Sequence, residues 1–233
     1  MVVWERPEPP RRETPTPLSR ALIVRAAMRI ADSDGLEAVS LRAVASALDA
    51  GPMRLYRYFE SREELLDLMV DAVYGQIRPP EPAGGDWRGA VGSLARGVRR
   101  AALRHEWFTD LLGGRPHLGP AALGHMEATL AALRRGPGLG GDPDCLMRAA
   151  TAVNAYVLGA IGREVAELRA ERESGLSEHQ WQVAAGPYLT RMLATGRYPT
   201  LADVLARASD PTPDTEFATG LNMLLAGITA DRA

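Results

Sequence analysis

The sequence predicts an all-α fold, and two observations carry that reading. Apolar residues recur at i, i+3, i+4 spacing from Leu18 nearly to the C-terminus, and no stretch alternates with the period of a half-buried strand. Glycine and proline clusters near 79–85, 113–114, 136–143, 175, 196 and 211–213 cut that pattern into pieces of helical length. The clearest boundary, Pro79-Pro80-Glu81-Pro82-Ala83-Gly84-Gly85, is short, so the two halves it joins are expected to pack together.

Residues 1–17 are proline-rich and carry Arg6, Arg11 and Arg12; they are expected to be a disordered arm without helix or core. A helix over 18–34 follows, capped by Ser19 or Thr16 and stopped by Gly35, with Leu22, Ile23, Ala26, Ala27 and Ile30 on its apolar face. Ser40 caps a short helix, 41–48, whose Leu41, Val44, Ala45 and Leu48 point inward. Asp49-Ala50-Gly51 forms a turn, and Pro52 opens a helix over 52–58 at the position where its missing N–H costs nothing. Leu55 and Phe59 are its buried side. Ser61 and Glu64 have capping-box spacing for a connecting helix that runs through 63–78. Beyond the boundary, segments at about 86–104, 106–112, 119–135, 143–172, 177–195, 200–208 and 213–230 complete a C-terminal domain over 79–233. The segments 143–172 and 213–230 are apolar on more than one face, which calls for a partner outside their own domain.

Composition is that of an ordinary globular chain, 46% hydrophobic and 24% charged in 233 residues. No apolar run approaches the roughly 20 residues of a membrane span, and the N-terminus lacks the apolar core of a signal peptide, so no membrane is expected. The single cysteine, Cys145, suits a buried apolar site in a reducing cytoplasm and excludes an internal disulfide. All 27 basic residues are Arg, each a planar fork suited to phosphate or guanine. Net charge is −2, yet residues 39–62 carry four arginines against two acids. The basic character is local, as a small docking surface on nucleic acid requires.

The stretch 18–62 therefore reads as a helix-turn-helix. Met53, Arg54 and Arg57 lie away from the Leu55/Phe59 side and are candidates for base edges in a major groove. Tyr56 and Tyr58 offer hydroxyls for phosphate oxygens, as do the Ser40 hydroxyl and the Arg42 guanidinium. Arg62, beside the N–H groups that open the next helix, would clamp a phosphate. In the C-terminal half, Leu94, Val98, His105, Phe108, Met126, Asn154 and Tyr156 are expected to line a cavity, with Trp181 reaching it from 177–195. A mainly apolar pocket with a few polar groups suits a medium-sized metabolite or drug. His105, His117 and His125 lack the i, i+4 spacing of a helical zinc site, and no nucleophile elbow or phosphate loop is present, so neither enzyme, metal nor cofactor is expected. The competing class is a helical ligand carrier or protein-interaction module that does not bind DNA.

Leu55-Tyr56-Arg57-Tyr58-Phe59-x-x-Arg62-x-x-Leu65-Leu66, preceded by Leu41-Arg42-x-Val44-Ala45 and a helix ending at Gly35, resembles the DNA-binding domain of the TetR family of transcriptional regulators. The resemblance spans about residues 18–77. It implies a homodimer on a palindromic operator, released by a small ligand, with Ser40, Arg42, Met53, Arg54, Tyr56, Tyr58 and Arg62 at DNA-contact positions. Trp87, His105, Arg115-Pro116 and Tyr156-Val157-Leu158-Gly159 to Glu164 resemble the tetracycline repressor class in order and spacing. That resemblance implies a C-terminal ligand-binding and dimerisation domain, pairing through about 143–172 and 213–230. Leu112 stands where that class has a magnesium-ligating histidine and Arg78 where it has a drug-contacting one, so magnesium–tetracycline is not the expected effector.

Overall fold

The computed structural model describes residues 3–9, 18–78, 86–209 and 211–230. Among these the regular structure is helical, with no strand. Helix α1 (Arg20–Asp34) starts at Ser19, whose side chain accepts the Leu22 N–H, and stops at Gly35, which takes the left-handed region at φ 83°. Glycine suits that stop because a Cβ there would crowd the backbone. After a 3-10 turn at Leu36–Ala38, Ser40 caps α2 (Leu41–Ala47) by accepting the Ala43 N–H. Asp49, not Gly51, is the left-handed residue of the turn, at φ 47°. Aspartate is one of the few other residues that visit this region readily.

Helix α3 (Pro52–Leu55) is shorter than the pattern predicts, and 56–58 continue as turns. Helix α4 (Arg62–Tyr74) connects the halves. Its cap differs from the expected box: the Ser61 hydroxyl accepts the Glu64 N–H, but Glu64 reaches one residue further back, to the Glu60 N–H at 2.7 Å. A reciprocal capping box does occur, at Ser177 and Gln180.

The expectation of a coreless arm fails for residues 3–9. Val3–Glu5 form a 3-10 turn, Val3 is buried, and Arg6 makes a two-pronged pair with Glu64 at 3.0 and 3.1 Å. Arg20 donates its guanidinium to the Arg6 carbonyl and its backbone N–H to the Glu8 carboxylate. A valine and a paired arginine thus supply burial and charge compensation that proline content alone does not reveal. Arg11 and Arg12, and the linker at 79–85, lie outside the described residues.

The C-terminal half is arranged around α5 (Trp87–Arg104), which is buried along most of its length. Around it pack α6 (Trp107–Leu111), α7 (Pro120–Arg134), α8 (Pro143–Ser174) and α11 (Pro213–Ala230). Helix α8 turns a single stripe inward, Cys145, Ala149, Val153, Val157, Ile161 and Val165, at strict i+4 spacing. Phe217, Leu221 and Leu225 of α11 match it. Arg99 of α5, almost fully buried, fixes this pair: it bonds Glu164 at 2.6 and 2.7 Å, pairs with Asp214, and lies over the Phe217 ring. By length and composition α8 is sufficient to cross a membrane, contrary to the sequence reading. Of its apolar window 33% is buried, against α5, α7 and α11, and its Glu164 and Arg163 make ion pairs. Helices α9 (Glu178–Ala194) and α10 (Pro199–Arg207) pack on each other and bury no residue.

Two close approaches position α4 on this body. Asp71, buried in α4, accepts the Ala122 N–H at 2.9 Å and so caps α7, whose own cap residue Gly119 offers no side chain. A Cβ on Gly119 would sit 2.2 Å from the Asp71 carboxylate, so this capping by a distant residue requires glycine.

Candidate nucleic-acid interface and effector region

The floor of the helix-turn-helix is apolar: Val39, Val44, Ala45, Leu55 and Phe59 are all buried. Above it, Ser40, Arg42, Met53, Tyr56 and Arg57 are exposed, and Arg54 is half-buried with a partner of its own. Met53 is 77% exposed. The Ser40 hydroxyl accepts from the helix it caps and can still donate its proton outward. Arg42 at the start of α2, Met53 in α3, and Tyr56 and Arg57 at and just past the end of α3 are thus exposed above this floor.

Two expected DNA contacts turn inward instead. Tyr58 is buried, and its hydroxyl donates to the Leu18 carbonyl at 2.8 Å, so it cannot reach a phosphate. Arg62 donates from Nε to the Val39 carbonyl at 2.8 Å and from Nη2 to the Leu36 carbonyl at 2.9 Å. It satisfies the carbonyls that precede α2 and so sets where Ser40 and Arg42 point. Both residues belong to the support of the interface. The sequence pattern missed this because backbone carbonyls compete with phosphate for the same N–H and O–H groups, and carbonyls leave no sequence signal.

The eight residues expected to share one effector cavity are not brought together. Leu94, Val98 and Phe108 are core, Met126 and Asn154 are exposed, and Trp181 on α9 is 61% exposed. Asn154 and Tyr156 each lie one residue, about 100°, from the inward stripe of α8 at Val153 and Val157. Tyr156 donates to the Phe217 carbonyl at 2.9 Å and lines an open cleft of about 750 Å³ between α8 and α11. His105 is buried and engaged: Nδ1 lies 2.8 Å from Asp32 Oδ1, and Nε2 lies 3.3 Å from the Gln76 amide. A second cleft, about 540 Å³, opens between Trp4, α4 and residues 111–118.

A cluster the sequence did not single out lies where α4, α6 and α7 meet. Tyr74 stands edge-on to Phe108 with ring centroids 5.4 Å apart and tilts against His125 at 5.2 Å. Burial pushes the Tyr74 hydroxyl up to about 12 and the His125 imidazole down to about 4. Both are neutral at physiological pH, because removing a charge from water costs more than removing a neutral ring. Leu112 and Arg78, noted for their departure from the tetracycline repressor class, are half-buried and exposed respectively.

An exposed Arg/Tyr/Met surface on a short capped helix pair, carried by α4 on a larger helical body, defines a helix-turn-helix regulator. Comparison with known proteins agrees. The pattern described as "Bacterial regulatory proteins, tetR family" matches residues 23–69, and "Tetracyclin repressor-like, C-terminal domain" matches residues 79–232. The chain is 37% identical to the HTH-type transcriptional repressor DrrR1 of Streptomyces coeruleorubidus, over 97% of this chain and 83% of that one. It is 26% identical to the class C tetracycline repressor protein of Escherichia coli over 91% and 90% of the two chains. The crystal structure of the Streptomyces coelicolor TetR family protein ActR in complex with actinorhodin superposes with a TM-score of 0.78 at 29% identity, covering 93% and 97%. The chain belongs to the TetR family and is a ligand-responsive, DNA-binding transcriptional repressor.

Proposed function

We propose that two copies of this chain sit on a palindromic operator in the cytoplasm and leave it when each C-terminal domain takes up a small molecule. The observation that carries the reading is the exposed set Ser40, Arg42, Met53, Tyr56 and Arg57 over a fully apolar floor. Arg57 and Arg54 are the base-reading candidates and Ser40, Arg42 and Tyr56 the phosphate contacts. Dimerisation is supported by what α8 and α11 leave uncovered: Met147 and Met223 are half or more exposed beside the unburied Asn154, Ala155 and Gly159. Trp181, Val183, Tyr188, Leu201, Val204 and Leu205 of α9 and α10 add a second apolar surface with no cover of its own. A soluble monomer rarely keeps that much apolar surface in contact with water.

The effector is a medium-sized, largely apolar molecule. The likeness to a relative solved in complex with actinorhodin supports a small-molecule effector, and Tyr74 and His125, in contact at the α4–α6–α7 junction, are the candidate neutral polar groups to orient it. Effector uptake releases DNA only by binding more tightly to a dimer whose recognition helices no longer match the half-site spacing. The test is a footprint on DNA flanking the chain's own gene, with actinorhodin as first probe. Two protected half-sites about one duplex turn apart, or multiples of that, support the reading. A single unpaired site, or no protection on any flanking duplex, overturns it.

A further inference from the structure

Beside α4, a second polar connection joins the two halves. Asp32 lies in the last turn of α1, within the DNA-binding half. A carboxylate there faces the negative end of the helix dipole, and no basic residue shares that turn. Its compensation comes from the other half. The Trp107 indole N–H of α6 donates to Asp32 Oδ1 at 2.6 Å, and His105 Nδ1 lies 2.8 Å from the same oxygen. The Asp32 carboxylate accepts, so the imidazole donates from Nδ1, and its Nε2 lies 3.3 Å from the nitrogen and 3.4 Å from the oxygen of the Gln76 amide just beyond α4. Trp107 and His105 are buried, whereas the Asp32 side chain is one-third exposed.

The opposite side of α6 is tied to the long helix of the C-terminal domain. Arg169 of α8 pairs with Asp110 through two bonds of 2.9 Å, and Arg172 pairs with Glu106, with one bond at 2.7 Å. Phe108, between them, meets Tyr74 of α4. The five-residue helix and its cap residue Glu106 therefore hold α8 with two acids, α4 with the Phe108 ring and α1 with the Trp107 indole.

We propose that Asp32 is a positioning residue for DNA binding: its bonds to Trp107 and His105 set the angle of the helix-turn-helix on the body, and α6 passes movements of α8 to α1 through them. The proposal rests on the repressor reading above. With the bonds intact, α1 is tied to the body at a point outside α4. Without them α4 carries more of the orientation of the DNA-binding half, and fewer dimers hold the half-site spacing, so apparent affinity falls by that fraction.

The test is operator affinity of the full chain, measured well below the melting temperature, for D32L, W107F, the double variant and D32N. D32L and W107F should each weaken binding by about tenfold, a typical coupling magnitude. The double variant should be no weaker than D32L, because both remove the same bond. D32N, which keeps an acceptor for the indole, should bind within about threefold of wild type. Hydrogen exchange at the end of α1 should quicken in D32L and not in D32N. Wild-type affinity in D32L and W107F, or losses that add in the double variant, overturns the proposal; a contact that merely stabilises the fold would lower the melting temperature and leave affinity unchanged. Should wild type bind no operator, the repressor reading fails separately, and the positioning role then stands or falls on exchange at α1.

Discussion

The α2–α3 corner and the α9–α10 hairpin both expose aromatic and apolar side chains, but they rest on different foundations. Under Met53 and Tyr56 lie Val44, Leu55 and Phe59, all fully buried. Under Trp181 and Tyr188 there is nothing: neither α9 nor α10 buries a residue. The first surface is rigid in its own domain and ready for a partner that is read by shape and hydrogen bonds. The second has no burial among the described residues of its own chain. A recognition surface and an assembly surface can thus have similar composition, and the layer below tells them apart.

Removing the floor tests the first half of that contrast and has the largest expected effect. Phe59→Ala should cost about 3–5 kcal/mol and unfold the DNA-binding half, seen as a new low-temperature transition in calorimetry. An undiminished transition would mean that the corner does not depend on its core. Adding charge to the uncovered face tests the second half. Met223→Glu lies at a position 71% exposed, so the chain should fold, sediment as a monomer and lose operator binding at nanomolar concentration. A folded dimer in that variant would place the assembly surface elsewhere.

Arg57→Ala should weaken operator binding by about 1–3 kcal/mol with no change in melting temperature, since the side chain is exposed and not part of the floor. The smallest effect concerns His125. Folded His125 takes up a proton at about 4, against 6.5 when unexposed to burial. Between those values the unfolded chain binds more protons, so stability falls as pH drops from about 6.5 toward 4. His125→Leu should flatten that decline by about 1–3 kcal/mol in chemical denaturation at pH 4.5 relative to pH 7. An unchanged slope would remove His125 from the interior of the α4–α6–α7 junction.

Much of this architecture was legible in the sequence because local rules agree with the fold. Ser19, Ser40 and Ser61 cap the helices expected, Pro52 opens α3, and the i+4 stripe of α8 is continuous. What escaped was long-range. Tyr58 and Arg62 bond backbone carbonyls 40 and 23 residues away, and Asp71 caps a helix 51 residues on. Periodicity finds the buried face of a helix but not which of two polar partners a side chain meets. The residues expected around the effector divide into buried (Leu94, Val98, Phe108) and exposed (Met126, Asn154, Trp181) ones, and whether a core face is packed or hollow depends on several helices at once. One clue was readable, an acid at the C-terminal end of α1, where the helix dipole demands a compensating donor.

Operator binding through exposed Arg42 of α2 on the DNA backbone and Arg57 just past α3 on the bases is tested most directly by the salt dependence of operator affinity. With Arg42 of two protomers on phosphates, the logarithm of affinity should fall against the logarithm of salt with a slope of about −2, and Arg42→Ala should remove most of that dependence. A flat dependence in wild type, or the same slope in Arg42→Ala, would contradict it.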